Sequence, residues 1–561
     1  ADKVRRTMAL LVDDYGMTFS SVRAVRDTLE KFVAERTEPG DLVGIFRTGG
    51  GNSMTQQFTS DRNQLALALR RLAWSSRNIG ATVNLFEPAR RDAERSGSIR
   101  GEERLEGLRN SGKMSEELAK LARDRADYFH LDPHESNLIV MLRFLLHDLR
   151  TLPGRKAIVV FSDGLPLRPD GSQAVERRAE TLRILADYAN RLGVVIYTVH
   201  SPGLVNADFI GADEDVSPEQ TGTLRNERAR SLFELQNGLN YLAEQTGGTF
   251  TRNTNDIGRG LRQALEEQRG YYLIGYRPSE DVFKEGLRDF RKLEIAVKRP
   301  GLRVRSRKGF IGISDEVLLL PKRTKTGDSQ LYESLASPVA AIDVPLRLTH
   351  IVDYDAKVNP SLRVLLHIDA SSLTFADEAD NWKRLTLDVA GVTLGDDGRV
   401  VNEFTRTHTV RVGSQTLPLV QQNGLTYTAS VPVKSPGAYQ IRLVVRDGVS
   451  KKHGTASQLI EIPDLKKGTL AISALVLAEA TPGGTQGLPP DASIEAALSP
   501  VQFPSNAAVR RFQPGASLYY TYQIHNVRLD RGTRRPQLTT QVTLFRDGEQ
   551  VFAGPETKSE A

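Results

Sequence analysis

Met8-Ala9-Leu10-Leu11-Val12, closed by Asp13-Asp14, is the stretch on which the fold turns. Five consecutive apolar residues bounded by two acids read as a strand buried on both faces, as in a parallel sheet. A helix signal follows, with Val22, Val25, Leu29, Phe32 and Val33 on one face until Pro39-Gly40 stops it. The alternation then repeats: strands at 42–46, 157–161 and 194–198, and helices carrying Leu65, Leu69 and Leu72, then Leu138, Met141, Leu145 and Leu149, then residues 233–245 ahead of Gly247-Gly248. Alternating strands and helices define an α/β domain with a doubly wound, Rossmann-like parallel sheet, here expected over residues 1–315. Two features interrupt or extend it. Residues 86–135 read as a charged helical insertion, since 90–127 hold ten Lys/Arg and nine Asp/Glu, and residues 270–312 read as a β extension with strands at 271–276, 293–298 and 302–307.

Beyond the expected linker at 316–345 helical periodicity disappears, and short β-rich segments alternate with turns such as Asp396-Asp397-Gly398 and Asp447-Gly448. The expectation is all-β: a sandwich of immunoglobulin-like type at 346–465 and a second sandwich-like unit, whole or partial, at 466–561. The length of 561 residues suits such a division.

Composition narrows the chemistry. The chain has no cysteine, which removes disulfides, thiol nucleophiles and Cys-ligated metals, so any ion must be held by oxygen or imidazole. Lys plus Arg exceed Asp plus Glu by only 75 to 69, too small an excess to suggest a nucleic-acid partner. No apolar run approaches the roughly 18 residues of a membrane span. The N-terminus shows none of the regions of a signal peptide, and an upstream segment is expected to have been removed.

Ligand sites of open parallel sheets lie beyond the carboxyl ends of the strands, where strand order reverses. Asp13 and Asp163 both end strands that a doubly wound order makes neighbours, so their carboxylates are expected to face one cleft suited to Mg²⁺, Mn²⁺ or Ca²⁺. A plainer reading of the same residues is that Asp13 and Asp14 cap the first helix and Asp163-Gly164 makes a turn.

The segments Leu11-Val12-Asp13-Asp14-Tyr15-Gly16-Met17-Thr18, Pro39-Gly40-Asp41-Leu42-Val43, Leu152-Pro153-Gly154-Arg155-Lys156, Phe161-Ser162-Asp163-Gly164 and Gly270-Tyr271-Tyr272-Leu273-Ile274-Gly275-Tyr276 resemble the von Willebrand factor type A fold. The likeness is to its exported bacterial "VWFA-related" branch and covers roughly Met8 to Gly312. It implies a six-stranded Rossmann-like domain whose metal-ion-dependent adhesion site binds a partner's acidic side chain through a cation. The implied metal ligands are Asp13 and Asp163, with Asp14, Tyr15, Thr18, Thr82 and Ser162 as further candidates, and the implied binding residues are Tyr15, Met17 and Gly164. The family pattern Asp-x-Ser-x-Ser is broken, since Tyr15 and Met17 replace both serines, so the site is expected to hold one divalent cation or none.

The resemblance implies that the chain is a non-catalytic recognition or adhesion protein, exported and binding another protein. The alternatives are a structural subunit of a surface assembly that associates with itself, and a metal-assisted hydrolase using the Asp13/Asp163 cleft. No Gly-x-Ser-x-Gly elbow or His-Glu-x-x-His helix supports catalysis. Three weaker signals have plainer readings. His130, Asp132, His134 and Glu135 read as a polar loop, Gly49-Gly50-Gly51 as a turn, and Arg303, Arg305 and Arg307 as one face of an edge strand.

Overall fold

The computed structural model describes residues 6–48, 57–72, 137–152, 156–166, 172–204, 218–275, 290–311, 327–354, 360–395, 400–479 and 512–559, apart from gaps of one or two residues within them. The expected insertion at 86–135, with Thr82, His130, Asp132, His134, Glu135 and Gly49 to Gly51, lies outside the described residues. The chain forms two compact units, one of Ala1–Ala340 and one of Ala341–Asp396 with Val400–Ala561.

The first unit is built on five parallel strands: β1 (Arg6–Val12), β2 (Asp41–Arg47), β3 (Lys156–Ser162), β4 (Val194–His200) and β5 (Phe250–Thr251). They lie in the order β2-β1-β3-β4-β5. An antiparallel bridge between Val43 and Thr59 extends the β2 edge, and among the described residues the sheet has five strands rather than the six the resemblance implies. β1, β3 and β4 are buried along their whole length, which is why their sequences are runs of Val, Ile, Leu and Ala without polar alternation. The helices are α1 (Phe19–Arg36), α2 (Arg62–Arg70), α3 (Asn137–Leu149), α4 (Ser172–Arg191), α5 (Pro218–Thr246) and α6 (Gly258–Arg269). Val22, Val25, Leu29, Phe32 and Val33 form the buried stripe of α1. α3 is buried on nearly every face, more than its one-sided reading suggests, because its sequence Asn-Leu-Ile-Val-Met-Leu-Arg-Phe-Leu-Leu is apolar all round.

Helix ends follow their local chemistry. Thr18 caps α1, its Oγ1 accepting from the Ser21 amide at 3.3 Å. That corrects the plainer expectation for Asp13 and Asp14: the helix starts five residues after Asp14, and the turn at Asp14 to Gly16 separates them. α5 ends at Gly247, with φ +78°, and a Cβ on Gly248 would stand 2.1 Å from the Ile196 carbonyl oxygen, so this close approach to β4 requires glycine.

The expected β extension is shorter than the sequence suggests. A two-stranded pair, β6 (Phe290–Lys292) with β7 (Gly309–Ile311), closes with the Leu293 amide donating to the Lys308 carbonyl at 2.8 Å. The described residues between these strands form no ladder, and Ile295, Val297, Leu302 and Val304 are exposed there. Arg305 pairs with Glu267 and Lys308 with Glu244, so the basic segment is anchored by charge to α6 and α5. Within the stretch read as a linker, α7 (Gly327–Ala336) buries Leu331, Tyr332 and Leu335.

The second unit is antiparallel. One sheet joins β10 (Ala376–Glu378), β11 (Trp382–Leu394), β12 (Val400–Gly413), β14 (Gly437–Asp447) and β15 (His453–Ile462), and the other joins β8 (Leu346–Tyr354), β9 (Pro360–Ile368) and β13 (Leu425–Pro432). A short helix α8 (Leu417–Asn423) precedes β13. Alternate inward residues such as Leu385, Leu387 and Val389 meet Val364, Leu366 and Tyr427 in one core. After Ile462 the described strands form only two-stranded pairs, with Tyr519, Phe545 and Phe552 exposed.

Candidate functional site

The reversal of strand order falls between β1 and β3, with β2 and its chain-earlier partner on one side and β4 and β5 on the other. Asp13 follows β1 directly, and its amide donates to the Phe161 carbonyl at 2.9 Å, extending the ladder to the level of Ser162 and Asp163. On the other flank the Thr48 amide donates to the Val12 carbonyl at 3.2 Å. Three strand ends therefore deliver Thr48, Asp13 and Ser162 side by side, each almost completely buried.

These side chains are tied to one another. The Thr48 hydroxyl donates to Asp13 Oδ1 and the Ser162 hydroxyl to Asp13 Oδ2, both at 2.7 Å, and the Gly16 amide adds a longer bond to Oδ1 at 3.3 Å. A Cβ on Gly16 would stand 2.4 Å from Asp13 Oδ2, so the turn can wrap the carboxylate only with glycine. Asp14, 0% exposed, accepts from Arg47 through both Nε and Nη2 at 2.7 Å. Burial pushes the Asp13 carboxyl up to about 7; the Ser162 and Thr48 hydroxyls oppose that rise and the Asp14 charge adds to it.

Asp163 lies half-buried beside this group. Its Oδ2 accepts from the Thr18 amide at 2.8 Å, linking the start of α1 to the end of β3, while its buried Oδ1 has no hydrogen-bond donor. Next to it stands His200, the last residue of β4, which is 2% exposed. Burial lowers the imidazole pKa, and the Asp163 charge counters part of that. The Gln236 amide lies 3.4 Å from His200 Nδ1 and accepts from Arg252 at 3.3 Å.

Of the candidates read from sequence, Asp13, Asp14, Ser162, Asp163, Gly164 and Thr18 meet at this edge. Tyr15 is half-buried, its amide donating to Thr48 Oγ1 at 3.3 Å, and Met17 is 1% exposed, packed inward rather than toward a ligand. Thr82 is outside the described residues. Thr48, Arg47 and His200 were missed. All three end strands, and their polarity right after an apolar run, as in Ile45-Phe46-Arg47-Thr48, was the available signal.

A hard divalent ion seeks six or more oxygens. Here both Asp13 oxygens already accept donors from the chain, Asp14 is held by a guanidinium, and the thioether of Met17 is buried beside them rather than an oxygen. Only Asp163 Oδ1 among these carboxylate oxygens is both buried and without a donor. Among the described residues no group of three His, Asp or Glu side chains could hold a metal. The donor set does not fit a resident divalent cation.

No protein-family model matches the chain, and no curated protein matches it. Among solved structures, a variant of an aerotolerance-related membrane protein from Bacteroides fragilis, carrying multiple mutations to serine, is 14% identical with a TM-score of 0.23, covering 46% of this chain and 98% of its own. A calcium-binding mutant of β-glucuronidase 2 from Bacteroides uniformis is 10% identical with a TM-score of 0.15, covering 23% of this chain and 13% of its own. Likeness at this level carries no argument about function. What stands is the class of fold: a parallel-sheet α/β unit of Rossmann-like type, joined in one chain to antiparallel β-sheets. Among the described residues no helix is long and apolar enough to cross a membrane.

Proposed function

We propose that this chain is a non-catalytic, exported bacterial recognition protein of von Willebrand A-like type, which binds another protein with the carboxyl edge of its parallel sheet. The observation that carries this reading is a set of large apolar side chains exposed at that edge: Phe19 (63%), Leu204 (63%), Phe233 (60%) and Leu235 (40%). Phe19 follows the residue that donates to Asp163, Leu204 lies just past β4, and Leu235 packs at Gly164 while its carbonyl accepts from the Leu165 amide. Several large apolar side chains exposed together at one edge of a sheet mark a protein-interaction site. The non-catalytic part of the reading is supported by Asp13, whose oxygens are both engaged and thus poorly placed to activate water. Export is supported by the resemblance of the motifs around Asp13 and Asp163.

The test is a photo-crosslinking phenylalanine analogue at Phe19 or Phe233, irradiated in the producing cell. The expected product is a covalent adduct with one different protein. An adduct with a second copy of this chain would favour a structural subunit instead, and the absence of adducts at both positions overturns the reading.

A further inference from the structure

Two adjacent buried carboxylates are costly unless something positive faces them, which is why such a pair suggests a bound cation. In this chain the positive group is built in. Arg47 Nε and Nη2 both reach Asp14 Oδ2 at 2.7 Å, and the guanidinium is itself only 14% exposed. The next residue on β2, Thr48, donates to Asp13 at 2.7 Å and stands 3.5 Å from Asp14 Oδ1, so one strand end serves both acids. From the opposite neighbour, β3, Ser162 donates to the other Asp13 oxygen, and the Gly16 amide closes over the first. A divalent ion coordinating Asp13 would compete for its oxygens with hydroxyls from strands on both sides.

We propose that Arg47, with the Thr48 and Ser162 hydroxyls, takes the place of a metal at this edge, so that the ends of β1, β2 and β3 are locked together and the face is assembled without any divalent cation. A guanidinium suits this role because it is permanently charged and its planar donors, Nε and Nη2, can converge on one carboxylate oxygen. The inference deepens the recognition reading by making that face independent of metal, and it stands or falls separately from it.

The experiment is a thermal melt of the whole chain in EDTA and in millimolar Mg²⁺, Mn²⁺ or Ca²⁺, with wild type, Arg47→Gln, and the double variant Asp14→Asn with Arg47→Gln. Wild type is expected to melt within about 1 °C in all four conditions, since a ligand that binds the native state would raise the midpoint. Arg47→Gln is expected to lose about 5 °C or more, or to fail to fold, and the double variant to recover most of that loss because no charge is left unpaired. A wild-type midpoint that rises by several degrees with any of the three ions overturns the proposal, whichever variants fold. So does an Arg47→Gln midpoint equal to wild type. Crosslinks at Phe19 with no metal response would support both readings, whereas a metal response with crosslinks intact would remove only this one.

Discussion

Asp13 in the parallel-sheet unit and Asp447 in the antiparallel unit are both buried, 6% and 0% exposed, and each stands at the end of a strand. Their charges go opposite ways. Burial raises Asp13 to about 7, whereas at Asp447 the same burial is outweighed by the Ser450 hydroxyl and the Val449 and Thr374 amides, and its pKa falls below the usual carboxylate value. The partners explain the difference. Asp447 accepts from the Thr374 and Val449 amides at 2.8 Å and from Ser450 Oγ at 2.7 Å, in a turn that aims backbone N–H groups at it. An amide can only donate, so these neighbours commit Asp447 to the ionised form. Asp13 depends on two hydroxyls, which can donate or accept and so tolerate either form, and it has Asp14 beside it.

The largest effect is expected where the partners are least able to adapt. Asp447→Ala removes the buried carboxylate to which two amides and a hydroxyl donate, and should destabilise the second unit by about 4 kcal/mol in urea unfolding. A loss below about 1 kcal/mol would mean that water replaces the carboxylate and that the contrast with Asp13 is one of solvent rather than of donors.

Asp13→Asn should act in the other direction. The unfolded chain ionises Asp13 near 3.8 and the native chain near 7, so the native state holds more protons between these values and stability falls as pH rises across that window. At about 1.4 kcal/mol per pH unit the cost reaches several kcal/mol above pH 7. Asparagine keeps an acceptor for Thr48 and donates to Ser162, whose own hydrogen can turn to the Gly164 carbonyl at 3.1 Å. The variant is therefore expected to be more stable than wild type by about 3 kcal/mol at pH 8 and equal to it near pH 4. Destabilisation at pH 8 would show that native Asp13 ionises without that cost, and the comparison with Asp447 would collapse.

The sequence made the frame of Asp13 legible because β1, β3 and β4 are unbroken apolar runs, and strand neighbours in a doubly wound sheet follow from their order. It brought Asp13 and Asp163 to one edge for the same reason. It could not show that Thr48 and Ser162 close on Asp13, since hydroxyl direction depends on the register of β2 and β3 against β1, which no local pattern encodes. Arg47 was illegible for a related cause: a cation at a strand end reads as a solvated residue until its carboxylate partner is placed beside it. The segment 293–308 misled because alternation of Ile, Val and Arg has a strand period whether or not a partner strand exists, and here charge pairs to Glu244 and Glu267 hold it instead.

The smallest effects compare two glycines that touch these regions. Gly16 has no space for a methyl group, since a Cβ there would meet Asp13 Oδ2 at 2.4 Å and Cγ at 2.8 Å, while a Cβ on Gly448, next to Asp447, would meet Thr386 Cβ at 3.0 Å and its carbonyl oxygen at 3.1 Å. A contact under 3 Å with a freely rotating side chain costs little, but the Asp13 carboxylate is pinned from both sides by Thr48 and Ser162. Gly16→Ala is therefore expected to cost about 2 kcal/mol, and Gly448→Ala, which needs a displacement of only a few tenths of an ångström, about 1 kcal/mol. Measured side by side by urea unfolding, the order of the two is the informative result. If Gly16→Ala is the milder, Asp13 swings away easily, and a carboxylate free to swing is one that a cation could recruit. If it is the harsher, the hydroxyls from β2 and β3 hold Asp13 in place, as a latch that works without metal requires.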